Sequence, residues 1–230
     1  MKITKTSCDL SSCLLCKNSV AGWLPLIDAN RQMLSFKKKE VIFSEGSLVA
    51  GVYFVYKGTV KIHKAWSPQK ELILSFARKG DMIGYRALGN DQILPITATA
   101  LDDVTLCFVA LPFFELSLQS SHPLTYALMR FYANALQEAE KRMRNLALMD
   151  VKGRVAETLL MLHHKFGADE MGQIAMNLTR QVMAAYAGTT YETFFRMLNE
   201  LKAEGLIQQT DESLILLDAE KLATLTHTDP

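Results

Sequence analysis

The sequence predicts an α+β chain in three consecutive parts: an antiparallel β-sandwich or barrel, one long helix, and a C-terminal winged helix-turn-helix. Three observations carry this. Between Met33 and Leu111, alternating runs such as EVIFSEG, GVYFVYKGTVKIH, ELILSFARKGDMIG and DVTLCFV are split by Gly46, Gly51, Gly58, Gly80, Gly84 and Gly89, the texture of short strands joined by tight turns. From Leu124 the run LTYALMRFYANALQEAEKRMRNLALM has no glycine or proline and is long enough for about seven helical turns. Beyond Asp150, two short helices joined at Gly188 are followed by two apolar runs around a polar turn, LIQQTDESLILL. Helix, glycine turn, helix, hairpin is the order of a winged helix-turn-helix.

Composition sets the outer limits. A chain of 230 residues with 49% hydrophobic content can bury one or two cores. The net charge of +1 leaves nucleic-acid binding to a local patch rather than to the whole surface. The N-terminus has no apolar stretch of the signal-peptide kind, and no apolar run reaches the ~18 residues of a membrane span. A soluble, cytoplasmic protein is expected. In that reducing compartment, clustered cysteines are read as metal ligands before disulfides.

The elements follow in order. Residues 1–18 form a cysteine-rich segment, with Cys8, Cys13 and Cys16 in CDLSSCLLC. A short helix is expected from Ala21 to about Leu34, and the sheet-forming region closes at residue 121. Ser121 is placed to cap the long helix, residues 122–149, with Pro123 in its first turn. Leu128, Phe131, Tyr132, Ala135, Leu136, Ala139, Met143 and Leu146 form an apolar stripe on that helix. Its length favours a second copy as the cover over packing on its own domain. Glu138, Glu140, Lys141, Arg142 and Arg144 read as a solvated face. Residues 150–230 then hold a helix opened by Asp150 and closed by Gly167, a strand QIAMNLT, a helix beginning at Thr179, a second capped by Thr189 or Thr190 and closed by Gly205, and the hairpin. Met161, Met171, Met176 and Met183 are expected in that part's core.

The second helix of such a motif enters the major groove with its first turns. Here it begins TTYETFFRM, which places Thr190, Tyr191, Glu192, Phe195 and Arg196 at its leading end. A carboxylate accepts from cytosine N4 and an arginine bridges guanine O6 and N7, so Glu192 and Arg196 form a base-reading pair. Thr179, Arg180 and Gln181, at the start of the preceding helix, suit phosphates. By itself, a Glu–Arg pair four residues apart is also an ordinary surface feature; the surrounding order gives it meaning.

Taken together, KKKEVIFSEG and VYFVYKGTVKI, NLALMDVKGRVAETLL, and LTRQVMAAYAGTTYETFFRMLNELKAEGLI resemble the CRP/FNR family of bacterial transcription regulators, across Trp23 to Leu217. The resemblance implies a β-roll (jelly roll) of the cyclic-nucleotide-binding kind. It further implies a homodimer joined through the long helix, a near-palindromic double-stranded DNA site, and RNA polymerase as a further partner. A cyclic-nucleotide pocket in this family uses a glutamate just after Gly84 and an Arg-Ser pair near QILPITATAL. This chain has Tyr85 in the first place and Leu94 and Pro95 around the second, so cAMP is not expected.

The chain is more similar to the FNR-type branch, which holds a [4Fe–4S] cluster on three N-terminal cysteines and one from the roll. Cys8, Cys13, Cys16 and Cys107 stand in matching places, although the C-x4-C-x2-C spacing reverses the order of that branch's short and long gaps. Glu192 and Arg196 match its reader residues, while its serine before the arginine is Phe195 here. From the residues alone, four thiolates suit a [4Fe–4S] cluster or a structural zinc equally, and free, redox-reactive thiols are a third reading. The expectation drawn is control of DNA binding by redox state, oxygen or nitric oxide through a cluster. The alternative is a roll that takes a non-nucleotide ligand or haem-bound gas, with zinc or free thiols; His63 is the candidate haem ligand. His163 and His164 are adjacent on a helix and point to different sides. No nucleophile–base pair, phosphate loop or paired carboxylate suggests an enzyme.

Overall fold

The structure, a computed structural model, describes residues 2–3, 8, 11–67, 70–176, 178–210 and 214–226. It divides into two compact units, Met1–Trp66 with Leu74–Leu136, and Ser67–Ile73 with Gln137–Pro230. In chain order the elements begin with strand β1 (Lys2–Ile3), helix α1 (Leu14–Asn18), a 3-10 turn at Ala21–Trp23 and helix α2 (Leu24–Asn30). Strands β2 (Arg31–Phe36), β3 (Val41–Phe43), β4 (Gly51–Lys57), β5 (Val60–Ser67), β6 (Lys70–Ala77), β7 (Met82–Ile83), β8 (Thr97–Ala100) and β9 (Val104–Ala110) follow. Helices α3 (Leu111–Ser120) and α4 (His122–Leu148) close this part.

Two sheets form the roll, in the orders β1-β2-β9-β4-β7 and β3-β8-β5-β6. Strand β9 is the centre of the larger sheet, antiparallel to β2 with Cys107 opposite Met33 and to β4 with Cys107 opposite Phe54. Successive side chains on a strand point to opposite faces, and this alternation separates two cores. Leu34, Val55 and Leu106 join Val60, Ile62 and Ala98 between the sheets. Met33, Phe54, Cys107 and Val109 face outward, onto a helical layer supplied by Leu15, Cys16, Ile27, Phe114, Leu124 and Leu128. Leu15, Ile27, Phe114 and Leu124 have no solvent exposure at all, and burial of each such side chain contributes about 1.5–3 kcal/mol.

Two sequence expectations change here. The helix expected over Ala21–Leu34 ends at Asn30, because Arg31–Phe36 is drawn into an unbroken antiparallel ladder with β9. Helix α3 was not expected; it starts on Leu111 with Pro112 in its first turn, where a missing N–H costs nothing. The cap of α4 is as expected: Ser121 is buried and its Oγ accepts from the Leu124 N–H at 3.4 Å.

The apolar stripe of α4 splits in two. Leu128 and, half-buried, Phe131 pack into the roll's outer core. Met129, Tyr132, Leu136, Ala139 and Met143 lie exposed at steps of three and four residues, with Leu136 at 60% and Met143 at 64% exposure. This is the spacing of a two-helix seam.

The second unit contains α5 (Val151–Phe166), α6 (Arg180–Ala187), α7 (Tyr191–Ala203), β10 (Ile207–Gln209), β11 (Leu214–Leu216) and α8 (Ala219–Thr224). Asp150 caps α5, its Oδ1 accepting from the Gly153 N–H at 2.6 Å. Gly153 is required by a close approach: a Cβ there would lie 2.6 Å from the Leu225 carbonyl. The hairpin pairs Ile207 with Leu216 through Gln209 with Leu214; its turn, 211–213, lies outside the described residues. QIAMNLT does not form a strand. Gln173 bridges to Ile215 while Ile174 bridges to Ala168, so the two residues serve different partners and no ladder continues; Asn177 lies outside the described residues. Met183 is buried as expected, but Met171 is exposed.

Candidate sensor pocket and DNA-reading face

The four cysteines, distant in sequence, share the roll's outer core. Cys13 ends the segment before α1 and Cys16 lies in its first turn, so the x2 spacing turns both thiols toward the sheet. Cys107 meets them from β9, and Cys8 packs against the same cluster. Side-chain hydrogen bonds join Cys16 to Cys13 and Cys107 to Cys8. The bond to Cys13 holds the Cys16 thiol far above its ordinary range, with burial adding to it. The bond to Cys8, then burial, does the same for Cys107. Cys13, accepting from Cys16, is held below. Among the described residues no three His, Cys, Asp or Glu side chains stand already arrayed around a metal position; the thiols are paired with one another instead.

The roll positions expected to discriminate a cyclic nucleotide are filled differently. The ring of Tyr85, next to left-handed Gly84, packs edge-on to Phe131 at 4.8 Å between centroids, and its carbonyl accepts from Tyr132 Oη at 2.7 Å. Leu94 is buried in the core between the sheets. His63 lies on β5 with Nε2 2.9 Å from Thr99 Oγ1.

In the second unit the two helices of the motif are capped as expected. Thr179 Oγ1 accepts from the Val182 N–H at 3.3 Å and Thr190 Oγ1 from the Thr193 N–H at 3.2 Å. Gly188 makes the turn between them at φ +65°, a left-handed value that favours glycine. Phe194, Met197, Leu198 and Leu201 bury one face of α7. The other presents Tyr191, Glu192, Phe195 and Arg196 together, all exposed. Gln181 and Thr179 are exposed at the start of α6, while Arg180 donates to the Thr210 carbonyl at 3.0 Å. Arg142 departs from its expected solvated role. Its Nη2 donates to the Ile73 carbonyl at 2.8 Å and the Tyr186 carbonyl at 2.5 Å, and the guanidinium lies 3.8 Å from the Tyr186 ring centre. Spacing gave no sign of this, because both acceptors are backbone groups far away in sequence.

A cyclic nucleotide-binding domain family model matches residues 33–121, and a Crp-like helix-turn-helix domain model matches residues 153–225. The chain belongs to the CRP/FNR family of transcription regulators. This regulator is 27% identical over 197 residues to the anaerobic regulatory protein of Bacillus subtilis, covering 84% of this chain and 82% of that one. It is 26% identical over 194 residues to the CRP-like cAMP-activated global transcriptional regulator of Mycobacterium tuberculosis, covering 84% and 87%. Its fold is similar to the structure of FixK2 from Bradyrhizobium japonicum, with a TM-score of 0.77, 24% identity, and coverage of 87% and 99%. The family consists of DNA-binding regulators, typically dimeric, rather than enzymes. Among the described residues no helix is long and apolar enough to cross a membrane.

Dimerisation gives the seam on α4 its expected test. In a dimer joined along α4, Leu136→Glu would remove up to about 1.5–3 kcal/mol of apolar burial per protomer and bring a carboxylate to the seam from each copy. Sedimentation should show a shift toward monomer; an unchanged dimer would place the interface elsewhere.

Proposed function

We propose that this CRP/FNR regulator senses redox state, oxygen or nitric oxide through an iron–sulfur cluster held by Cys8, Cys13, Cys16 and Cys107. We further propose that its homodimer reads a near-palindromic site through Glu192 and Arg196 of α7. The observation that carries the sensing proposal is the meeting of all four thiols in one apolar core. Similarity to an anaerobic regulatory protein supports it. The donor set fits: four soft sulfurs suit a cluster. Four thiolates so close together would repel one another, which favours the protonated thiols, and a metal centre reverses that preference by deprotonating the thiols it binds. Bound there, a [4Fe–4S] cluster would supply a link between α1 and β9 that oxygen or nitric oxide breaks. A cyclic nucleotide does not fit, since neither Tyr85 nor the packed Leu94 supplies the charged bonds its groups require.

What the chain itself does is mechanical. Cys13, Leu15 and Cys16 share a core with Leu124 and Leu128, at the start of α4. While the four sulfurs are held, α1 is fixed under that end of the long helix, one turn before the exposed seam begins at Met129. When they are released, α1 loses its anchor and the helix loses part of its support. The switch is a two-state element biased by its ligand. On the DNA, phosphates would be held by the N-terminus of α6 with Thr179, Arg180 and Gln181, and by Thr190 and Tyr191 at the start of α7. RNA polymerase is a further proposed partner.

The deciding measurement is the absorption spectrum of the chain purified without oxygen. A brown protein that bleaches in air is expected, with iron and sulfide bound. A colourless protein carrying zinc, or no metal, would overturn the cluster and leave the thiols structural.

A further inference from the structure

The buried face of α7 accounts for Phe194, Met197, Leu198 and Leu201, but not for two aromatic rings on the opposite side. Tyr191 and Phe195 are 47% and 40% exposed, with ring centroids 6.2 Å apart and planes 10° from parallel. Stacking on Tyr191 limits the rotamers open to Phe195, so the ring is held in place before any partner arrives. The pair borders Glu192 and Arg196 directly: Phe195 lies three residues after Glu192 and just before Arg196. An apolar ledge is therefore continuous with the polar pair proposed to read bases, on one helix face.

In the major groove the four base pairs differ mainly in donors and acceptors, and the thymine C5-methyl is the apolar group they offer. A phenylalanine edge is matched to it; a serine at the same place is not. We propose that Phe195, backed by Tyr191, is a specificity-determining residue that reads a thymine methyl next to the base pair addressed by Glu192 and Arg196. This rests on the proposed DNA reading by α7 and adds to it the identity of a neighbouring base. The ligand chemistry is a 5-methylpyrimidine edge, so 5-methylcytosine at that position also satisfies it.

The test uses the full chain, purified without oxygen, and the duplex it selects from a random pool. Each thymine of the half-site is replaced singly by deoxyuridine, which lacks only the methyl group. One thymine per half-site is expected to lose about fourfold in affinity, the worth of one buried methyl. Phe195→Ser is expected to bind the thymine and deoxyuridine duplexes equally. The change on the DNA side cannot affect protein folding. If no deoxyuridine duplex binds the unaltered chain more weakly, or if Phe195→Ser keeps the sensitivity, the proposal falls. Arg196→Ala separates this from the parent reading, which expects it to lose roughly 5- to 150-fold of discrimination at one base pair. A loss there without methyl sensitivity overturns the thymine reading alone; an unchanged ratio of selected to scrambled DNA overturns both.

Discussion

Cys107→Ser is expected to abolish the proposed anaerobic chromophore and, with it, the proposed response of DNA binding to air. The pocket explains why the effect should be complete. Cys107 is the one thiol supplied by the sheet, fixed by ladders to Met33 and Phe54, while the other three come from the N-terminal segment. Removing it leaves no sulfur on the sheet side to which the N-terminal thiols can be tied, so only the packing of Leu15 still holds α1 there. The coupling between sensor and DNA, of the ~5–150-fold size usual for linked sites, should collapse to the same affinity in air and without it. Cys107→Ala, which places no hydroxyl in the apolar core, should behave in the same way, separating loss of a ligand from loss of packing. A Cys107→Ser protein that stays brown and oxygen-responsive would refute the four-cysteine site.

Arg142→Ala should be among the most destabilising changes in the second unit. One guanidinium donates to two backbone carbonyls and covers the Tyr186 ring. Hydrogen bonds from a charged group contribute about 1.5–3 kcal/mol and a cation–π contact about 0.5–2 kcal/mol. These are not additive, and a loss of ~3 kcal/mol is expected, seen as a melting temperature lower by roughly 6–12 °C. Arg142→Lys should recover less than half of it, because a compact, strongly hydrated ammonium loses the planar guanidinium cover over the Tyr186 ring. A melting temperature within a degree of the parent would show the contact to be idle.

What the sequence revealed and what it hid have physical causes. Caps were legible because they are local: Ser121, Asp150, Thr179 and Thr190 each satisfy an amide three residues on. The three-cysteine cluster was visible for its density, and Cys107 through the family pattern. Helix α1 was not, since its five residues are too short to show a period. Arg31–Leu34 has a helical pattern, but pairing of the whole of β2 with β9 outweighs it. The seam on α4 was placed one step off, with Leu128 and Phe131 included, because only the roll's position decides which side of the stripe is already covered. Arg142 looked solvated because a charge that bonds backbone carbonyls leaves no trace in residue spacing.

The outer core of the roll has a consequence for what counts as a module. The recognisable domain begins at residue 33, yet Leu15, Cys16 and Ile27, which roof Phe54 and Phe114, all precede it. The boundary of kinship and the boundary of self-sufficiency are thus different lines in this chain. A fragment starting at the first would keep Phe114 but leave part of that sheet face open to water, and its apolar surface would seek other company. The segment that looks most like a dispensable leader is a wall of the building.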